Sequence, residues 1–321
     1  MNAALRRLTV GLGVLLVEAA AAIFGPLLLP DPNRIVDPRG AGLVPPGSRV
    51  LVVTLTDGRE LAATQLERQN GHIRLLRGTS WEQVPEPLMV AVHTRWYLLG
   101  SDALGRDVAA RLVKAGEVSL AVGVLSLALA VFLGTFVGMA CGLGPRWLDR
   151  ALMAFVDTAL ALPLLFVLLA ASAFLRPSLA TVVAMLGLFS WMGVARLVRG
   201  QVLVAREQPW FLAARGLGLP PWRLAAVHLL PHALTPLLSD AALRLGDLIL
   251  LEASLSFLGF GVPPPLPSWG SMAAEGFEVW RLAFWLPLLP GCAIAVTVLA
   301  FAAIADGLAA WARAGGEGGE P

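Results

Sequence analysis

Six apolar stretches, each close to or above the roughly 20 residues a helix needs to cross a bilayer core, constrain this chain more than any other feature. They are Leu8 to Leu29, Val118 to Leu143, Leu152 to Leu175, Leu179 to Leu197, Ala233 to Leu258 and Leu282 to Leu308. In lipid every backbone N–H and C=O must be satisfied within its own segment, so such runs fold as helices. The expectation is an all-α polytopic membrane protein with six transmembrane helices. Composition agrees, at 57% hydrophobic and 14% charged residues, where a soluble domain carries about 25% charge. The first stretch follows Arg6 and Arg7 and includes Ala19 to Ala22, as a secretory leader would. Its apolar run continues to Leu29, longer than the roughly 7–15 residues of a leader core, and reads as an uncleaved first helix.

The few charges are unevenly placed. Between Pro30 and Glu117 lie ten acids and eleven bases out of 46 charged residues, so one ordinary polar segment interrupts an apolar chain. This divides the sequence into a tip and first helix (1–29), a polar segment (30–116), a five-helix core (117–311) with a loop at 198–231, and a Gly/Glu-rich tail (312–321) expected to be disordered. Loop arginines set the orientation. With the N-terminus cytoplasmic, the inside holds Arg6, Arg7, Arg146, Arg150, the Arg199 to Arg223 group and Arg313, against Arg176 and Arg281 outside. Both termini are then cytoplasmic and the polar segment extracytoplasmic. Within it, Ser48 to Thr56 and Leu61 to Leu76 read as short β-strands, with hairpin signals at Asp57-Gly58 and Asn70-Gly71. Trp269, Trp280 and Trp285 flank the last external loop as interfacial anchors.

Several chemistries are excluded early. The only lysine is Lys114, in Val113-Lys114-Ala115, so there is no Gly-Lys-Ser/Thr phosphate loop. No Gly-x-Ser-x-Gly or His-Glu-x-x-His occurs, and His72, His93, His228 and His232 have no acid and serine at suggestive spacing. Cys141 and Cys292 are far apart in apolar surroundings and read as small hydrophobes, with no metal-binding Cys/His spacing. A net charge of +2 without a clustered basic face leaves no nucleic-acid footprint.

The cytoplasmic loop is the most informative stretch. Pro209 can open a helix, Ala213 and Ala214 favour one, and Gly218 fits its C-terminal stop. Pro220 or Pro221 then opens a second short helix that ends before Pro231. A short helix with a small-residue face suits docking into a groove on another protein; a plain amphipathic connector is the competing reading.

Ala213-Ala214-x-x-x-Gly218, followed by Leu230-Pro231, resembles the "EAA" loop of ABC-importer permeases. Further blocks resemble the C-type permease subunit of the dipeptide/oligopeptide/nickel family: Leu99 to Val108, Glu252 to Gly259, Pro267-Ser-Trp-Gly270, and Thr297 to Phe301 through Asp306-Gly307. Their order matches over Leu98 to Trp311. The resemblance implies a type I importer fold in a bacterial or archaeal inner membrane. It implies a homologous second permease completing a heterodimeric pore, two cytoplasmic ATPase subunits docking on the EAA loops, and an extracytoplasmic binding protein delivering di- or oligopeptides or similar solutes. ATP-Mg would belong to the ATPase subunits, with no cofactor on this chain. Carried over, the docking loop comprises Leu212, Ala213, Ala214, Arg215, Gly218 and Pro231, with Ala214 and Gly218 allowing close backbone approach. The acidic first position is Leu212 here, and Glu207 is a candidate substitute.

Ionisable groups within spans are the second class of candidate, because they are costly in lipid and face an interior or cavity. Asp157 falls in the third stretch, and Asp240, Arg244, Asp247 and Glu252 in the fifth. Asp240, Arg244 and Asp247 can pair on one helix face. They read as a packing network, as part of a translocation path or gate that includes Glu252, or as an ion relay. An ion-coupled secondary transporter using Asp157, Asp240 and Asp247 is the alternative function. Gly105-Arg106-Asp107, with Arg111 and Lys114 following, reads as an amphipathic helix outside the membrane near a docking surface or as a locally capped interfacial helix.

Overall fold

The computed structural model describes residues 2–69 and 71–317, and their side chains except at residues 2–4, 221 and 312–317. The chain begins with α1 (Asn2–Leu28) and α2 (Pro38–Ala41). Among the described residues, six strands follow: β1 (Ser48–Leu55), β2 (Glu60–Ala63), β3 (Gln65–Gln69), β4 (His72–Arg77), β5 (Ser80–Pro85) and β6 (Met89–Tyr97). Then come α3 (Val108–Leu143), α4 (Arg146–Leu160), α5 (Leu164–Ser172), α6 (Leu179–Ala205), α7 (Pro209–Gly216) and α8 (Pro221–Arg223). A π-helical turn (Leu224–Leu229), α9 (Leu230–Phe257), α10 (Trp269–Glu278) and α11 (Trp285–Glu317) complete it. The chain divides into two compact units, one of Met1–Val17, Ser119–Pro263 and Ile294–Pro321, the other of Glu18–Val118 and Pro264–Ala293.

Among the described residues, four helices are long and apolar enough to cross a membrane: Leu5–Leu28, Val108–Leu143, Leu179–Ala205 and Trp285–Trp311. The stretch expected as a third span is two helices, α4 and α5, bent by 85° at a short break. Pro163 caps the second of them. It has no N–H to donate and disfavours helical backbone at Leu162, so one helix cannot run through. The expected fifth span corresponds to α9, whose 28 residues reach about 42 Å. Asp240, Arg244, Asp247 and Glu252 make α9 more charged than those four helices. Among the described residues, the six expected spans thus correspond to four apolar helices, one broken pair and one charge-bearing helix.

Other boundaries also move. Arg111 and Lys114 lie on the first turns of α3 itself and not on a separate amphipathic helix. The backbone of residues 312–317 continues α11, where a disordered tail was expected; residues 318–321 lie outside those described. Trp269 is buried and its Nε1 donates to the Leu112 carbonyl at 3.2 Å, so it is a packing residue where an interfacial anchor was expected. Trp280 is exposed.

The polar segment folds into two three-stranded antiparallel sheets, ordered β2-β1-β6 and β3-β4-β5. The expected turns fall at Gly58 and Gly71, both at positive φ, while Asn70 lies outside the described residues. Val53, Leu55, Ala63, Ile73, Leu75 and Val84 form one apolar cluster; Val36, Ala41, Val44, Val50, Val52, Ala62 and Tyr97 form another.

A buried ion pair holds this segment together. Asp37 caps α2 through the Arg39 N–H at 3.1 Å, accepts the Ala62 N–H at 2.9 Å, and receives Arg77 Nε at 3.1 Å and Nη2 at 2.9 Å. Burial alone would raise the Asp37 carboxyl, but the Arg77 hydrogen bond, the Ala62 N–H and the Arg77 charge outweigh it and hold it below the usual carboxylate range. A depressed carboxyl stabilises the fold above its unfolded value of about 3.9, and that contribution is lost as pH falls through the folded value. Asp37→Asn is therefore expected to speed hydrogen exchange of β1–β6 at pH 7, with the gap from wild type closing in acid. An equal gap at pH 7 and pH 2.5 would contradict this account.

Candidate coupling and translocation site

The candidate loop is built from α6 outward. Arg206 caps α6, and its Nη1 donates to the Gly142 carbonyl at 2.6 Å, fixing the exit of α6 against the end of α3. Gln208 then runs extended, and Pro209, whose missing N–H costs nothing in a first turn, starts α7. Phe211 and Ala214, three residues apart on one face, are buried in a cluster with Val194, Val198, Val202, Leu224 and Leu229. Leu212, Ala213, Arg215 and Leu217 lie exposed. Gly218 ends the element at φ +78°, the left-handed region that costs non-glycine residues about 1 kcal/mol or more.

This geometry reassigns some residues. Ala214, expected to allow close backbone approach, is buried against the chain's own core, while Ala213 beside it is exposed. Leu212, at the position where the motif is acidic, is 55% exposed. Glu207 is exposed and precedes α7, one turn of chain before Leu212. The second loop helix does not stop before Pro231. Instead the Leu230 N–H reaches back five residues to the Ala225 carbonyl, and the π turn carries the chain into α9 with Pro231 in its first turn. The wider turn accommodates the proline, which cannot donate and crowds the carbonyl behind it.

The membrane charges do not form one group. Asp157 on α4 pairs with Arg196 on α6 at 2.6 Å, both more than half exposed. Arg199, one turn on, holds Asp149 by two hydrogen bonds, one of 2.7 Å through Nη2. On α9 the Asp240–Arg244 pair forms as expected, whereas Asp247 is exposed and, among the described residues, outside that pair. Glu252 is fully buried: it accepts Ser119 Oγ at 2.9 Å and Ser256 Oγ at 2.6 Å. Ser256 Oγ in turn accepts the Val262 N–H at 3.3 Å, tying the chain beyond α9 to the same carboxylate. The structure thus places Glu252 in a polar node with Ser119 and Ser256, and Asp157 and Asp240 in separate ion pairs.

Some site residues escaped the sequence reading. Phe211 anchors α7, and the Trp210 ring lies 5.7 Å from His232 and 6.3 Å from His228 between centroids. The four-residue spacing of the histidines was the available signal. Arg199 enters the sequence reading only as a marker of orientation and Arg196 not at all; their three-residue spacing on α6, opposite Asp157 and Asp149 on α4, is the pattern that carries the pairs.

Residues 117–314 match the binding-protein-dependent transport system inner membrane component family. The glutathione transport system permease protein GsiD of Pectobacterium atrosepticum is 36% identical over 210 residues, 65% of this chain and 70% of the relative. The dipeptide transport system permease protein DppC of Alkalihalophilus pseudofirmus is 35% identical over 213 residues, 66% of this chain and 69% of the relative. Among solved structures, a chain of the MetNI methionine ABC transporter in an inward facing conformation is similar with a TM-score of 0.51 at 19% identity, over 61% of this chain and 95% of that one, a likeness of fold. With more than half its length inside the family match, the chain belongs to the binding-protein-dependent transport system inner membrane components: it is a multi-pass permease subunit of an ABC importer, a transport component and not itself an enzyme.

Proposed function

We propose that this permease moves di- or oligopeptides, or small solutes of similar size, as one half of a pore completed by a homologous second permease. Relatives named for dipeptide and glutathione transport support the cargo class. Two separate ATPase subunits, which carry the ATP-Mg, dock on this chain and its partner, and an extracytoplasmic binding protein delivers the solute. Both termini are cytoplasmic and residues 30–116 face outward, in keeping with the loop arginines.

The observation that carries the coupling role is the two-faced build of α7. Phe211 and Ala214 lock it to the chain's own core while Leu212, Ala213, Arg215 and Leu217 stay exposed. A helix so anchored moves with the bundle when a partner pushes on its outer face. Leu212 supplies an apolar contact where a carboxylate stands in the related motif. Leu212→Arg is expected to weaken co-purification with the ATPase subunits about tenfold, the equivalent of about 1.4 kcal/mol, and to abolish stimulated ATP hydrolysis, with an unchanged melting temperature. Intact assembly and stimulation in this variant would show that α7 is not the docking helix. Leu212 is the better probe than Gly218, where any side chain also strains the backbone.

A further inference from the structure

The segment from Leu99 to Val108 builds a feature that the transport role leaves unused. Asp102 lies at its base. Its Oδ1 accepts the N–H groups of Leu104 and Arg106, each at 2.9 Å, and its Oδ2 accepts Arg106 Nε at 2.6 Å and Arg111 Nη1 at 2.7 Å. Each guanidinium, braced from that side, donates its Nη2 to a different oxygen of one carboxylate, that of Glu275 on α10: Arg106 to Oε2 at 2.9 Å and Arg111 to Oε1 at 3.0 Å. Two arginines presenting one donor to each oxygen form a receptor for a carboxylate.

Receptor and occupant are held very differently. The Arg111 side chain is 3% exposed and that of Glu275 48%. Arg111 Nε is buried without a hydrogen-bond partner. A cavity of 300 Å³ is lined by Asp102, Arg106, Arg111, Met272, Glu275 and Glu278 among others, so space adjoins the clamp. Burial pushes the Glu275 carboxyl up against the pull of Arg106, and the nearby charges of Asp102 and Glu278 add to the rise. The clamp is rigid and cationic; its occupant sits on a short helix among other carboxylates.

We propose that Arg106 and Arg111 form a carboxylate-binding site in which Glu275 is an exchangeable internal occupant, displaced by a carboxylate entering the adjoining cavity. That the carboxylate enters from outside the cell rests on the orientation proposed above. It comes either from the free solute or from an acidic side chain of the protein that delivers it.

The test uses the full chain in lipid nanodiscs, with N-acetylglycine as the probe and N-acetylglycinamide as its neutral twin. Calorimetry is expected to show N-acetylglycine binding Glu275→Gln at least tenfold more tightly than wild type, no binding of the amide, and loss of binding when Arg111→Gln is added. In a second arm, the affinity of the assembled transporter for its binding protein is measured with the same variants. A response in the first arm identifies the free carboxylate as the source. A tenfold gain with Glu275→Gln in the second arm alone, reversed by Arg111→Gln, identifies the delivering protein. No gain in either arm overturns the proposal and leaves the clamp an internal strut. Melting temperatures check folding, and Glu275→Asp, which shortens the occupant's reach, replaces Glu275→Gln in both arms should the latter unfold. The first arm contains no ATPase, so failed ATPase docking would overturn the coupling role without altering this result.

Discussion

Gly138→Leu is expected to lower the melting temperature of the detergent-solubilised chain by on the order of 10 °C, the equivalent of about 3 kcal/mol or more for a protein of this size. Gly134, Gly138 and Gly142 recur every four residues along α3 and lie against Val194, Val198 and Val202 of α6. A Cβ at Gly138 would stand 2.7 Å from the Ala195 carbonyl oxygen and 2.8 Å from Val198 Cβ; at Gly134 it would stand 2.7 Å from the Trp191 carbonyl oxygen. Backbone oxygens on a packed helix cannot swing aside as a side-chain tip can. In lipid, helix association depends on this close approach, because the surrounding tails are as apolar as the side chains. The damage also reaches α7, since Val194, Val198 and Val202 belong to the cluster that seats Phe211. Gly200→Ala on α6, where a new Cβ meets nothing within 4 Å, is the control and is expected to change stability by no more than about 1 kcal/mol. If Gly138→Leu and Gly200→Ala melt alike, α3 and α6 do not share this seam.

That seam shows where a sequence is hard to read. Hydropathy located the apolar helices because burial in lipid is a property of composition, which survives averaging over a window. Breaks depend on single residues. Pro163 sits inside an apolar run and was averaged away, although its missing N–H ends α4 in space. Pro231 misled in the opposite direction: it looked like a terminator, but the π turn before it absorbs the lost hydrogen bond. In the polar segment the turns at Gly58 and Gly71 were legible because positive φ selects glycine. The strand β6, Met89–Tyr97, was not, since most of its residues are exposed and give no inside-outside alternation. Of the site, the loop helix could be read from Pro209 and Gly218, whereas the inward turn of Ala214 could not. Which face of an eight-residue helix is buried depends on Phe211 and on residues of α6 distant in sequence.

Glu252→Ala is expected to cost about 2–4 kcal/mol of stability and to abolish transport, while Glu252→Gln costs under about 1 kcal/mol and retains it. The carboxylate is fully buried and receives hydroxyl donors from two places, Ser119 on α3 and Ser256 one turn further along α9. Truncation removes both acceptors and leaves a polar-lined void, and a hydroxyl stranded in the interior costs more than its bond was worth. Glutamine keeps the length, one acceptor oxygen and an amide that donates to the second hydroxyl, which rotates to accept. It removes only the charge. The pair of variants therefore separates shape from charge, with melting temperature reporting the first and solute-driven transport in proteoliposomes the second. If Glu252→Gln folds like wild type yet transports nothing, the negative charge itself is required in the bundle, and Glu252 belongs to the translocation step. If it transports normally, the carboxylate's task is to hold α3, α9 and the chain at Val262 in one register.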